Sequence, residues 1–189
     1  VTGQLDGSAL SSSAAVTYAP GPAAQLAFGV QPPASVTAGQ TLSPSLTVRV
    51  LDANGNLVSS GASIAVAFGN NAGGGTLGGT TTRAASAGVA TFDDLSVDKS
   101  GAGYTLTATS GLLTAATSNG FTVTPAAGAT IAVSAGDNQS ATVASTVSTA
   151  PAVLVTDAFG NPVPGVSVTF AIGSGGGSLS GGSATTDSN

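Results

Sequence analysis

Apolar side chains occupy every second position along most of the chain. Ala62, Ile64, Val66 and Phe68 are separated by Ser63, Ala65 and Ala67, and Val166, Val168, Phe170 and Ile172 by Ser167, Thr169 and Ala171. A period of two puts alternate side chains on one face of an extended strand, so each stretch predicts a strand with a single core-facing side. The same alternation runs through Leu46, Val48 and Val50, through Val153 and Val155, and through Tyr104, Leu106 and Ala108. It also pairs Val16 with Tyr18 and Phe121 with Val123. The Ala-rich stretches carry no helical period, because Gly, Ser and Thr interrupt them. The predicted fold class is all-β.

Turn chemistry separates the strands. In Asp52-Ala53-Asn54-Gly55-Asn56 and Asp157-Ala158-Phe159-Gly160-Asn161 the Asp carboxylate can accept backbone N–H bonds, and Gly supplies the positive φ that the turn needs. Gly73-Gly74-Gly75 and Gly175-Gly176-Gly177 mark further loops, and both precede strand patterns, so neither has the helix N-terminus of a phosphate cradle. Many short strands at near-even spacing predict tandem β-sandwich domains with Greek-key connections.

The pattern repeats. Asp52 recurs as Asp157 and Pro20 as Pro125, each 105 residues on, which is the length of one sandwich domain. Boundaries are expected near Pro20 and Pro125, where Pro stops ladder pairing and stiffens a junction. The expected organisation is residues 1–20 as the terminal strands of a preceding unit, 21–125 as a complete unit, and 126–189 as the N-terminal part of a further one. Residues 1–20 match Leu106 to Pro125 at that offset, and aligning the later strands makes Asn189 equivalent to Ala87.

Composition narrows the function. His, Cys, Met and Trp are absent, as is Glu, and the cations are Arg49, Arg83 and Lys99 alone. No side chain titrates naturally near neutral pH, and no soft metal ligand exists, so no catalytic residue, cofactor or metal site is expected. Three cations against a net charge of −5 cannot track a phosphate backbone, so nucleic acid is not an expected partner. No apolar run approaches the roughly 20 residues of a membrane span, so no membrane insertion by this segment is expected. A β-rich chain with no Cys fits an exported bacterial protein better than a small eukaryotic extracellular domain. Only 6% of residues are charged, so contacts between neighbouring units meet little electrostatic opposition.

One ordered set of motifs is specific: Ser43-Pro44, Leu46-Thr47-Val48, Asp52-x-x-Gly55-Asn56, an alternating strand, Thr76-Leu77 after a Gly-rich loop, then Gly88-Val89-Ala90-Thr91-Phe92. Its second copy reads Val155-Thr156-Asp157-x-x-Gly160-Asn161-Pro162-Val163-Pro164-Gly165-Val166-x-Val168-x-Phe170. This pattern resembles bacterial immunoglobulin-like domains of the invasin/intimin type, over nearly the whole chain. The resemblance implies immunoglobulin-like sandwiches serving as spacers in bacterial surface proteins, adhesins and fibres.

Five features invite chemistry. Asp93, Asp94 and Asp98 could hold calcium, but their spacing matches no calcium loop and reads as a strand-end turn. Asp52 and Asp157 read as capped turn carboxylates. Lys99, the sole lysine, could enter an isopeptide cross-link only if buried beside a protonated carboxyl, and it lies in the polar run Asp98-Lys99-Ser100-Gly101. The resemblance implies that Tyr104, which enters the strand Tyr104-Thr105-Leu106-Thr107-Ala108, bonds back to nearby backbone through its hydroxyl. Asn138-Gln139-Ser140 is a glycosylation sequon.

The expected function is a non-catalytic stalk or spacer of a bacterial cell-surface or extracellular fibre, with neighbouring immunoglobulin-like domains of the same or adjacent chains as partners. One alternative is a filament subunit in which residues 1–20 complete the 126–189 unit of a neighbour by strand donation. The other is an adhesin module binding a surface ligand through loops at Asn70-Asn71 or Ser110-Gly111.

Overall fold

The structure, a computed structural model, describes residues 19–175 and 178–188, together with the backbone of Gln4–Leu5 and Ser8–Ala9. It is all-β, and no helix occurs among the described residues. Strands β1 (Gln4–Leu5) and β2 (Ser8–Ala9) form a two-stranded antiparallel pair. The expected strand through Val16 and Tyr18 lies outside the described residues.

Two larger sheets follow. In the first, β3 (Ala23–Val30), β5 (Leu46–Asp52) and β9 (Val89–Phe92) are antiparallel, with β5 in the middle. In the second, the order is β4 (Ser35–Thr37), β13 (Phe121–Thr124), β11 (Gly101–Thr109), β6 (Ser63–Asn70) and β8 (Thr82–Ala84), with β12 (Ala116–Thr117) also on β11. β4 runs parallel to β13, whereas the other ladders of this sheet are antiparallel. β7 (Leu77–Gly78) and β10 (Ser96–Val97) make a short side ladder.

The period of two decides which side chains are buried. Leu46, Val48 and Val50 from the first sheet and Ile64, Tyr104, Leu106 and Ala108 from the second are fully buried in one shared cluster. The arrangement is consistent with a β-sandwich. Burying each such aliphatic side chain contributes about 1.5–3 kcal/mol. The whole cluster lies between Leu26 and Val123.

The remaining elements are β14 (Thr130–Ala135) paired with β15 (Ala152–Thr156), and β16 (Ser167–Thr169) paired with β17 (Ser183–Thr185). The first of these ladders copies β3–β5 at an offset of 105 residues. Gln25 faces Leu51 as Thr130 faces Thr156, and Val30 faces Thr47 as Ala135 faces Ala152, with the register shift before the last pair in both. In β16–β17 Thr185 faces Ser167 as Ala84 faces Ser63, one position away from the register that matches Asn189 with Ala87. The cause is loop length: 12 positions separate the bonded pair Phe170 and Gly182, against 15 for Val66 and Thr81.

Burial differs between the two regions although the alternation is shared. Val66 is 3% exposed, while Ile131, Val133 and Ile172 are 57%, 63% and 47% exposed. Ile131 and Val133 lie on β14 and Ile172 follows β16, and these apolar side chains stay exposed. An open groove of about 430 Å³ lies there, lined by Gly128, Ile131, Val155, Val166 and Val168.

A carboxylate at position 66 would sit in the shared core without a partner. Val66→Asp should therefore cost at least about 3 kcal/mol and abolish the cooperative melt followed by circular dichroism. Ala67→Asp, on the exposed face of the same strand, should stay within about 0.5 kcal/mol of the parent. An unchanged melt for the first variant would show that the inward face is misassigned.

Candidate interface at the Asp157 turn

The Asp52 turn is built by one carboxylate. Its Oδ1 accepts the N–H groups of Asn54 and Asn56, each at 2.9 Å, and its Oδ2 accepts the N–H of Gly21 at 2.8 Å. The Asn56 side-chain Nδ2 donates to the same carboxylate at 3.0 Å. Gly55 takes φ +83°, which a side chain with a Cβ would resist. Backbone donors that a tight turn leaves unpaired are thus satisfied within it.

The Asp157 turn makes the same set of bonds. Its carboxylate accepts from the N–H groups of Phe159 and Asn161, from Ala126 N–H and from Asn161 Nδ2, all at 2.9 Å. In each case the strand leading out of the Pro junction is tied to the turn 31 residues later. The structural reading of both aspartates holds in their geometry.

Protonation would break these bonds, and both acids respond. Hydrogen bonds from Asn56, side chain first and backbone second, and from Gly21 bring Asp52 from 3.8 down to about 2. At Asp157 burial pushes upward, but the bonds from Asn161, Ala126 and Phe159 leave the net shift downward.

The two turns differ in their surroundings. The Asp52 turn stands at the end of the first region where the chain enters, with Asn54, Gly55 and Asn56 exposed. The Asp157 turn is seated on the opposite end of that region. There the Asn161 carboxamide Oδ1 accepts from Ser100 N–H at 3.0 Å while its Nδ2 donates to the Asp98 carbonyl at 2.8 Å. Bonding to a carbonyl and to the N–H two residues on is what a residue in a parallel β-bridge does, here performed by a side chain. Asn161 is 3% exposed as a result.

Two further contacts close the junction. Lys99 Nζ donates to the Phe159 carbonyl. The Phe159 ring lies against Gly39, where a Cβ would overlap it. Apolar contact, cation and carboxamide all come from one turn on one side and from Gly39 and the 98–100 loop on the other.

That receiving loop is held rigidly from behind. Tyr104, packed between Phe68 and Phe121 at centroid distances of 5.5 and 5.6 Å, donates its hydroxyl to the Lys99 carbonyl at 2.8 Å. Burial pushes the Tyr104 phenol up. The Asp98 carboxylate accepts Thr76 N–H at 2.6 Å.

The other sequence candidates are dispersed. Asp93 and Asp94 turn to Arg83 at 2.6 and 3.2 Å, and Asp94 also accepts the Thr80 hydroxyl at 2.6 Å, so the carboxylates do not converge with Asp98. No group of three or more potential metal ligands occurs among the described residues. The exposed Lys99 ammonium meets a carbonyl, not the buried carboxyl an isopeptide bond requires. Asn70 and Asn71 bond to Gly103 and Gly75 at the junction end, whereas Ser110 bonds to Ser63 at the other, so these loops form no common surface. Asn138 lies on the exposed segment after β14. Gly176 and Gly177 lie outside the described residues.

Sequence reasoning missed Gly39, Phe159 and the docking role of Lys99. A signal was present: the apex of a solvent turn carries Phe159 where its counterpart carries Asn54.

Compared with known families and curated proteins, the chain matches no family model and no curated protein.

Because the folded acid is the stronger one, Asp52 adds stability that is complete above its unfolded value of 3.8 and is lost as pH falls from there toward about 2. The Asp52 carboxyl carbon followed by NMR should titrate near 2. Titration near 4 would show that the turn bonds do not form in solution.

Proposed function

We propose that this chain is a non-catalytic structural module of a long bacterial cell-surface or extracellular fibre, in which stacked immunoglobulin-like β-sandwiches act as a stalk or spacer. The observation that carries this reading is the docked junction: a turn of residues 126–188 is locked into residues 39 and 98–100 by side-chain, backbone and ring contacts. A linker alone would leave adjoining units free to reorient, whereas polar bonds with fixed geometry resist bending. The strand order supports the immunoglobulin-like part, since β3–β5–β9 faces β4–β13–β11–β6 and β4 lies parallel beside the last strand. The matching β3–β5 and β14–β15 ladders support tandem units, which behave as a one-dimensional array.

In this reading the partners are neighbouring units. Low charge suits the role, because faces that must approach carry little net repulsion.

A second reading is favoured by the uncovered apolar face of β14–β17: residues 1–20 of one molecule complete residues 126–189 of the next, building a filament. Exposed Ile131, Val133 and Leu179 would then be buried by donated strands.

For the stalk, 15N relaxation should give one rotational diffusion tensor for residues 21–125 and 126–188, and Lys99→Ala/Asn161→Ala should split it into two. Independent tumbling in the parent chain would sink the reading. For the filament, sedimentation velocity should show oligomers that grow with concentration, and monomer alone at 0.1–1 mM, roughly the range where weak strand exchange operates, would remove it.

A further inference from the structure

We infer that the exposed Asp52–Asn56 turn is a second docking site, whose occupant is the 98–100-type loop of another unit of the same fold. This inference rests on the stalk reading and deepens it by naming the surface that the next unit takes.

The occupied turn shows what the free one can do. Asp157 and Asp52 collect equivalent bonds from residues at matching positions, so the two turns hold their carboxamides in the same way. At Asn161 the Oδ1 and one Nδ2 hydrogen go to Ser100 and Asp98. At Asn56 the Nδ2 donates to Asp52, whereas the Oδ1 receives no bond from the described residues and the residue is exposed. The polar fork is built and pointed outward, and its entropy of ordering is already met by the Asp52 bonds.

Geometry selects the partner. A fork of one acceptor and one donor fits a carbonyl and the N–H two residues further on, as in Asp98 and Ser100. In the first region this loop lies at the far end from the Asp52 turn, so a contact that repeats it is heterologous and propagates head to tail. Asn54 replaces Phe159, so the free site has no ring to seat on a Gly39 equivalent and relies on polar contacts.

In the parent chain the 98–100 loop is occupied by its own Asp157 turn. Phe159→Gly/Asn161→Ala should open that loop while leaving the first core intact, and retention of the 21–125 amide spectrum checks this. Unlabelled open-loop chain is titrated into 15N-labelled parent chain. The Asn56 side-chain and Gly55 amide signals should shift in a saturable way, and Asn56→Ala in the labelled chain should weaken the response about tenfold, the value of one net hydrogen bond. Unlabelled parent chain, its loop filled, should give no shift.

Absence of a shift at about 1 mM open-loop chain, or a shift unaffected by Asn56→Ala, overturns the inference. The stalk reading is judged separately: a single diffusion tensor without any trans shift removes only the second docking site.

Discussion

One carboxylate binding the backbone of its own turn is the constraint on which the rest of the molecule depends. Asp52 and Asp157 each gather three N–H groups and a carboxamide, and one of those N–H groups belongs to the residue just after a Pro junction. Through that bond the first strand of a unit is aligned with the next strand in its sheet, so the ladder starts in register. In a chain with 6% charged residues, charge is spent where a neutral acceptor would satisfy fewer donors.

From the turn, rigidity passes outward by contacts that are individually small. Asn161 is held by Asp157 and in turn grips Asp98 and Ser100, while Tyr104 and Thr76 hold that loop against the core of the first region. The series runs without a gap from a buried aromatic stack to the turn of the next region. Each bond contributes only about 0.5–1.5 kcal/mol, but bonds that share partners fix an orientation that none could fix alone.

The contrast between the two regions separates strand formation from core formation. Val166, Val168 and Phe170 alternate with Ser167 and Thr169 as Ile64, Val66 and Phe68 alternate with Ala65 and Ala67, and both stretches contain a paired strand. Alternation determines which face is apolar, and burial then requires a second sheet to supply an opposing surface. Where β9, β11 and β13 provide it the interior is closed, and around β14–β17 the apolar face stays open to a groove. The proposed roles of stalk and of completed filament differ only in what covers that face.

By itself the sequence determined the all-β class, the inward faces and both aspartate turns, because a period of two and an Asp-x-x-Gly-Asn turn act between residues close in the chain. The resemblance to immunoglobulin-like domains also marked Tyr104 as a tether to nearby backbone, and the structure supplies the Lys99 carbonyl as its partner. The tertiary structure alone decided that Lys99 meets the Phe159 carbonyl, that Gly39 makes room for a ring, that Asp93 and Asp94 turn to Arg83, and which apolar faces are covered. Those contacts join Lys99 to Phe159 and Ser100 to Asn161, 60 and 61 residues apart, and no local pattern encodes a distance set by how separate sheets pack. Side chains with the same pattern of neighbours, Asn56 and Asn161, therefore end in different states, one exposed and one buried, because among the described residues only Asn161 has a loop placed against it.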